Sequence, residues 1–261
     1  MEKFKHKKKY GQNFLNDNNI KNKIIDGANI DKDTLVIEIG PGQGVMSKMI
    51  IPKAKYSILY EIDKDLDKYL SNIDGDYRVI YGDFLDANVM GDIKDYDYKK
   101  LYVVANLPYY ITTPIISKFI DDKIYPDRLV LMMQKEVANR FTANVGTKDY
   151  GSLTVLINYY YNINKLCDVS RNCFNPRPNV DSAVIVMEIK NDRIKLNNED
   201  IFKKLVRDSF QYKRKNIRNN LFKYDLDKIS SILNKYGYNL NDRAEDIELD
   251  VFIEIANQLC N

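Results

Sequence analysis

The first two thirds of the chain predict an α/β fold, and the remainder predicts a small all-helical domain. Short, β-branched, continuously apolar runs alternate with helical stretches as far as about Asn191. A glycine-rich turn follows the first of these runs directly. Beyond Asn191 the apolar residues recur instead at helical spacing. Apolar strands without alternation imply a parallel sheet covered by helices on both faces.

Strands are expected at Leu35–Gly40, Tyr56–Asp63, Arg78–Phe84, Leu101–Asn106 and Arg128–Met133, with two more at Asn164–Ser170 and Ser182–Ile189. The last follows a Pro-rich loop and suits an antiparallel partner. Amphipathic helices fit Glu199–Phe210, Lys213–Phe222, Leu226–Tyr236 and Leu249–Leu259, with Gly237 placed to end one of them. The expected division is residues 1–192 for the sheet domain with a basic N-terminal segment, and 193–261 for the helical domain.

Composition narrows the chemistry. With 44% hydrophobic and 30% charged residues among 261, the chain reads as a soluble globular protein. No apolar run approaches membrane-spanning length, and the basic N-terminus lacks the apolar core of an export signal. A cytoplasmic protein with no membrane partner is expected. Cys167, Cys173 and Cys260 lack metal-ligand spacing and read as reduced thiols, so no metal site is expected. The single histidine, His6, lies in a basic tail, which argues against a Ser-His-Asp triad. Net charge is only +3 but is unevenly spread. Lys3, Lys5, Lys7, Lys8 and Lys9 crowd the start, and Lys203 to Lys223 holds eight basic residues against one acid, Asp208. A charge run is usually a solvated face; two such clusters beside the motifs below favour a phosphate-binding surface.

Three successive strand ends carry candidate ligand groups. Glu38-Ile39-Gly40-Pro41-Gly42-Gln43-Gly44 closes the first strand with G-x-G-x-G spacing, unlike the G-x-G-x-x-G of dinucleotide binding. Glycines at Gly40 and Gly42 let a backbone approach a ligand closely. Glu61 ends the second strand, where an acid can hold ribose hydroxyls, and Asp83 ends the third, where an acid can accept from an adenine amine. The fourth strand runs into Asn106-Leu107-Pro108-Tyr109. An Asn-x-Pro-aromatic loop suits methylation of a nucleobase exocyclic amine. The Asn106 amide oxygen and the carbonyl of Leu107 or Pro108 can accept the amine's two N–H bonds, and Tyr109 offers a stacking face. Phe174, in a Phe-x-Pro-x-Pro loop, is either a second stacking face or a core anchor. Together these strand ends point to S-adenosylmethionine rather than a nicotinamide cofactor.

These residues, with Gly11-Gln12-Asn13-Phe14-Leu15, Tyr150-Gly151-Ser152-Leu153, the segment Phe174 to Ala183, Lys213 to Leu221 and Arg243-Ala244-Glu245, resemble the ribosomal RNA adenine N6,N6-dimethyltransferases over nearly the whole chain. The resemblance implies a Rossmann-like class I methyltransferase sheet and S-adenosylmethionine as cofactor. It implies cofactor contacts at Asn13, Leu15, Gly40, Glu61, Asp83 and Asn106, of which Asn13 and Leu15 rest on the resemblance alone. Thr113-Pro114, Val180-Asp181-Ser182-Ala183 and the Arg-Ala-Glu segment are similar to the housekeeping (KsgA-type) branch, which modifies two adjacent adenines near the 3′ end of 16S rRNA in the small ribosomal subunit. Tyr110, Asn216, Ile217 and the lysine-rich Lys213-Arg214-Lys215 depart from that branch. The expected RNA-binding residues are Lys7, Lys8, Lys9, Lys213, Arg214, Lys215 and Arg218, on a monomer that does not act on DNA. The alternatives are a large-subunit (Erm-type, 23S) methyltransferase, a DNA adenine methyltransferase and a non-enzymatic assembly factor.

Overall fold

Every residue of the strand Thr34–Ile39 is buried, which only a central strand covered on both faces allows. The computed structural model describes residues 12–108 and 111–260. Its strands are β1 (Phe14–Leu15), β2 (Thr34–Ile39), β3 (Tyr56–Glu61), β4 (Tyr77–Tyr81), β5 (Lys100–Asn106), β6 (Arg128–Gln134), β7 (Tyr161–Val169), β8 (Phe174–Asn175) and β9 (Ser182–Ile189). Its helices are α1 (Asn18–Ala28), α2 (Ser47–Ile50), α3 (Asp67–Leu70), α4 (Val89–Ile93), α5 (Thr112–Asp121), α6 (Lys135–Phe141), α7 (Ser152–Tyr160), α8 (Glu199–Ser209), α9 (Ile217–Asn220), α10 (Leu226–Lys235) and α11 (Leu249–Leu259). Among the described residues no helix is long and apolar enough to cross a membrane.

Seven strands form one sheet in the order β4-β3-β2-β5-β6-β9-β7, and β1 pairs β8 in a second, two-stranded sheet. Neighbours from β4 to β6 are parallel, and β9 runs antiparallel to β6. The strand order reverses at β2: β3 and β4 lie to one side, β5 and β6 to the other. Loops leaving β2 and β5 in opposite directions open a crevice at their C-terminal ends, where an open α/β sheet binds ligands. Beneath it, Ile24 and Ile25 of α1 pack with Val36, Met46, Val104, Val130, Met132 and Val184. This apolar cluster supplies the burial that holds the crevice rigid.

The described chain divides into two compact units. One runs to Ala138 and resumes at Ile163–Ile189; the other joins Asn139–Asn162 to the chain from Lys190 onward. The expected division at residue 192 follows chain order, whereas this one does not. Helix α7 is apolar almost all round and buries Val155, Leu156, Ile157, Tyr159 and Tyr160. Such a helix needs partners on every side, and it packs with α8 and α11. The Tyr159 ring lies 5.1 Å from that of Phe202, and the Tyr160 hydroxyl donates to Glu199.

The helix expected over Lys213–Phe222 is a correction: only Ile217–Asn220 is helical. Asn216 stops it from extending backwards, because its side chain accepts from Asn219 N at 3.1 Å as an N-cap. The buried Asn220 amide donates to Ser209 O at 2.7 Å and Lys215 O at 3.3 Å and accepts from Tyr212 N at 3.1 Å. These bonds hold the chain before Asn216 as a turn. Lys213, Arg214 and Lys215 stand exposed on it, and Arg218 is exposed on α9. Replacing Asn220 with alanine leaves the Ser209 carbonyl without its amide donor. The expected loss is about 1–3 kcal/mol in urea denaturation; unchanged stability would show that the turn does not depend on this amide.

Candidate active site

The turn after β2 has positive φ at Gly40 (71°) and Gly42 (60°). A Cβ on Gly42 would sit 2.8 Å from Phe14 Cε1, so the backbone passes directly under that ring. The same conformation aims Gly42 N at Glu61 Oε2, 3.0 Å away, while Asp63 N donates to Glu61 Oε1 at 2.9 Å. Glu61 is buried at the end of β3. Burial pushes its carboxyl above the ordinary range, and these two N–H bonds work against that rise. Behind the turn, Glu38 is fully buried; its Oε2 accepts from Ser47 Oγ at 2.6 Å and its Oε1 has no partner. Burial, with the Glu61 charge adding to it against the opposing Ser47 bond, pushes Glu38 up to about 8.

The N-terminal segment crosses this site and is held at several points. Gln12 Nε2 donates to Asp63 Oδ2 at 2.8 Å. Asn106 Nδ2 donates to Asn13 O at 3.3 Å. Phe14 and Leu15 pair with Asn175 and Phe174, and Asn16 N donates to Cys173 O at 2.8 Å. One pocket results. Its wall brings together Asn13, Leu15, Gly40, Gly42, Glu61, Asn106, Leu107, Pro108 and Phe174 of the expected residues. Gln12, Phe14, Lys21, Gln43 and Met46 also line it.

Some expected residues lie elsewhere. Asp83 is exposed and caps the turn Phe84–Asp86, accepting from Leu85 N at 2.9 Å; it is not part of the pocket wall. Tyr109, Lys7, Lys8 and Lys9 fall outside the described residues. Phe174 is buried in the apolar cluster with Leu15 and Met46 and also lines the pocket, so the two roles weighed for it are not mutually exclusive. The pairing of Gln12 with Asp63 and the burial of Lys21 had no sequence signal beyond their nearness to the motifs.

At the end of β5 the geometry limits what the loop can do. The bond from Asn106 Nδ2 to Asn13 O turns the amide so that Oδ1 is its remaining acceptor. Leu107 N donates to Met132 O at 3.0 Å, and Pro108 O accepts from Ile111 N at 3.1 Å. The Pro108 carbonyl is therefore engaged in the turn. An acceptor pair made of Asn106 Oδ1 and the Leu107 carbonyl can receive a planar amine.

Two outcomes are expected. Alanine at Gly42 meets both positive φ and the Phe14 ring and should lower stability by about 1–3 kcal/mol, read as a drop in melting temperature; no drop would mean the turn rearranges freely. For Glu38, a folded-state carboxyl near 8 against an ordinary 4.5 makes this group's own contribution to stability greatest below about pH 4.5 and falling as pH rises towards 8, because the folded state alone retains the proton in that window. Glu38→Gln removes this dependence. Its stability relative to the parent should rise between about pH 5 and pH 8 in paired denaturation curves, and a constant difference would place the Glu38 carboxyl in the ordinary range.

Known proteins resemble this chain over nearly its whole length. A protein from Fusobacterium nucleatum named ribosomal RNA small subunit methyltransferase A is 45% identical over 260 residues, covering 97% of each chain. The crystal structure of a dimethyladenosine transferase from Plasmodium falciparum superposes with a TM-score of 0.75 at 27% identity, covering 93% of this chain and 95% of that one. The structure of the 23S rRNA methyltransferase ErmE, at 23% identity and a TM-score of 0.70 over 95% of this chain and all of its own, shares the fold. Residues 3–260 match the family model described as ribosomal RNA adenine dimethylase, and the chain belongs to that family.

Proposed function

We propose that the protein transfers methyl groups from S-adenosylmethionine to N6 of two adjacent adenines in a hairpin near the 3′ end of 16S rRNA, giving N6,N6-dimethyladenosine during small-subunit biogenesis. The observation that carries this reading is that Asn106, Leu107 and Pro108 open onto the same pocket as the glycine turn and Glu61. The small-subunit enzymes named among its relatives favour 16S over 23S rRNA. The protein acts as a cytoplasmic monomer.

The pocket's groups fit the cofactor. Glu61 uses its oxygens on two backbone N–H groups, and a carboxylate has about four acceptor positions, so ribose hydroxyls can still be held. Asn13, Leu15, Gly40 and Gly42 line the remainder, and Asp83, exposed outside the pocket wall with one oxygen engaged by Leu85 N, is the acceptor assigned to the adenine amine from its place at a strand end. When bound, S-adenosylmethionine supplies an electrophilic methyl group on its sulfonium.

The protein's own contribution is orientation. The target adenine leaves its stack and enters beside Asn106. Asn106 Oδ1 and the Leu107 carbonyl accept the N6–H bonds, two before the first transfer and one before the second, and draw the nitrogen lone pair out of the ring; their dipoles stabilise the positive charge that develops there, and the methylated nitrogen then loses a proton to solvent. Tyr109 and Phe174 flank the base. Lys213, Arg214, Lys215 and Arg218, with Lys7, Lys8 and Lys9, hold the RNA phosphates and select the particle rather than the base.

The test is methyl transfer to unmodified small subunits, large subunits and DNA, with modified positions mapped. Dimethylation of two adjacent adenines in 16S rRNA is expected, and transfer confined to large subunits or DNA would overturn the assignment. Asn106→Ala should slow transfer by roughly 100-fold or more while the protein stays folded; near-normal turnover would remove Asn106 from the reaction.

A further inference from the structure

Helix α1 buries one stripe of side chains, Lys21, Ile24, Ile25 and Ala28. Their i, i+3, i+4, i+7 spacing is that of an apolar face turned to a core, yet its first member is a lysine. Lys21 is 7% exposed and lines the same pocket as Glu61 and Asn106. Among the described residues lining that pocket it is the one cation, and Glu61 is the one anion.

Withdrawing an ammonium from water is costly unless an anion or several hydrogen bonds replace the solvent. Lys21 Nζ donates to Asn18 Oδ1 at 2.9 Å, a neutral acceptor that uses one of its three N–H groups. The Asp17 carboxylate feels the lysine's charge but caps α1, its Oδ1 accepting from Asn19 N at 2.8 Å and Ile20 N at 3.1 Å, and its Oδ2 accepts from Cys173 Sγ at 3.5 Å. The ammonium therefore keeps donors for an anion arriving in the pocket. The proposed cofactor has one carboxylate, at the methionyl end, while its ribose hydroxyls suit an acid. A pocket with Glu61 and Lys21 as its opposite charges matches a ligand built in that way.

We infer that Lys21 binds the cofactor, its ammonium pairing with the methionyl carboxylate of S-adenosylmethionine; the inference rests on the cofactor reading above. The competing role is structural: the aliphatic stem fills the stripe and the head reaches water beside Asn18.

Calorimetry without RNA separates the two, using S-adenosylmethionine and decarboxylated S-adenosylmethionine, which differ only in the carboxylate. Lys21→Met keeps the length and apolar stem and removes the charge. Affinity of the variant for S-adenosylmethionine should fall about tenfold or more, and affinity for the decarboxylated compound should stay within about twofold. Equal weakening of both ligands, or no weakening of either, would overturn the inference. A melting temperature matching the parent verifies that the comparison is made on folded protein. If the unaltered protein binds neither compound, the cofactor reading itself fails and takes this assignment with it.

Discussion

The geometry of the site depends on one buried carboxylate. Glu61 lies at the end of β3 with almost no access to water, a position that is tolerable because backbone N–H groups meet both of its oxygens. One of those donors is Gly42, so the glycine turn is fastened to the neighbouring strand and not only to its own. The other is Asp63, whose side chain in turn holds Gln12. From Gln12 the chain passes to Asn13, whose carbonyl orients the Asn106 amide. Substitution at Glu61 would therefore disturb the glycine turn, the N-terminal segment and the reacting loop together.

A second carboxyl behind the turn complements this. Glu38 is as deeply buried as the strand that carries it but has only the Ser47 hydroxyl as partner. Two charged carboxylates so placed would repel each other in a medium that screens poorly. The group with two backbone donors is the better stabilised anion, and the one with a single hydroxyl is the one driven to keep its proton. Among the described residues lining the pocket, Glu61 is thus the one acid that can present a negative charge.

Much of this was readable from residue order. Strands covered on both faces cannot alternate, and β5 and β6 announced themselves as unbroken apolar runs, β2 as one interrupted only at Glu38. The glycine turn and Glu61 were legible because groups at successive strand ends in a parallel sheet converge on one crevice. Other features had no local signal. Strands β1 and β8 are two residues each, too short for any period, and exist because each satisfies the other. The run from Lys213 to Phe222 has helical spacing, but Asn216 and Asn220 divert its backbone bonds to their side chains. Lys21 looks like an ordinary surface lysine until the helix is seen to turn that face inward. The grouping of α7 with the C-terminal helices is a matter of tertiary packing, which chain order conceals.

The pairing of β1 with β8 also bears on the time at which the pocket comes into being. Asp17 and Cys173, which meet beside this pair, are 156 residues apart in the chain. Bringing such distant segments together is entropically costly and is repaid only once the intervening sheet exists. During synthesis the glycine turn, Glu61 and Asn106 all emerge well before Phe174. A ribosome-bound chain that has just released β5 therefore holds most of the pocket's polar groups but no second strand to hold β1 in place. The wall closes as one of the late events in the folding of this unit, after the β8 segment has left the exit tunnel.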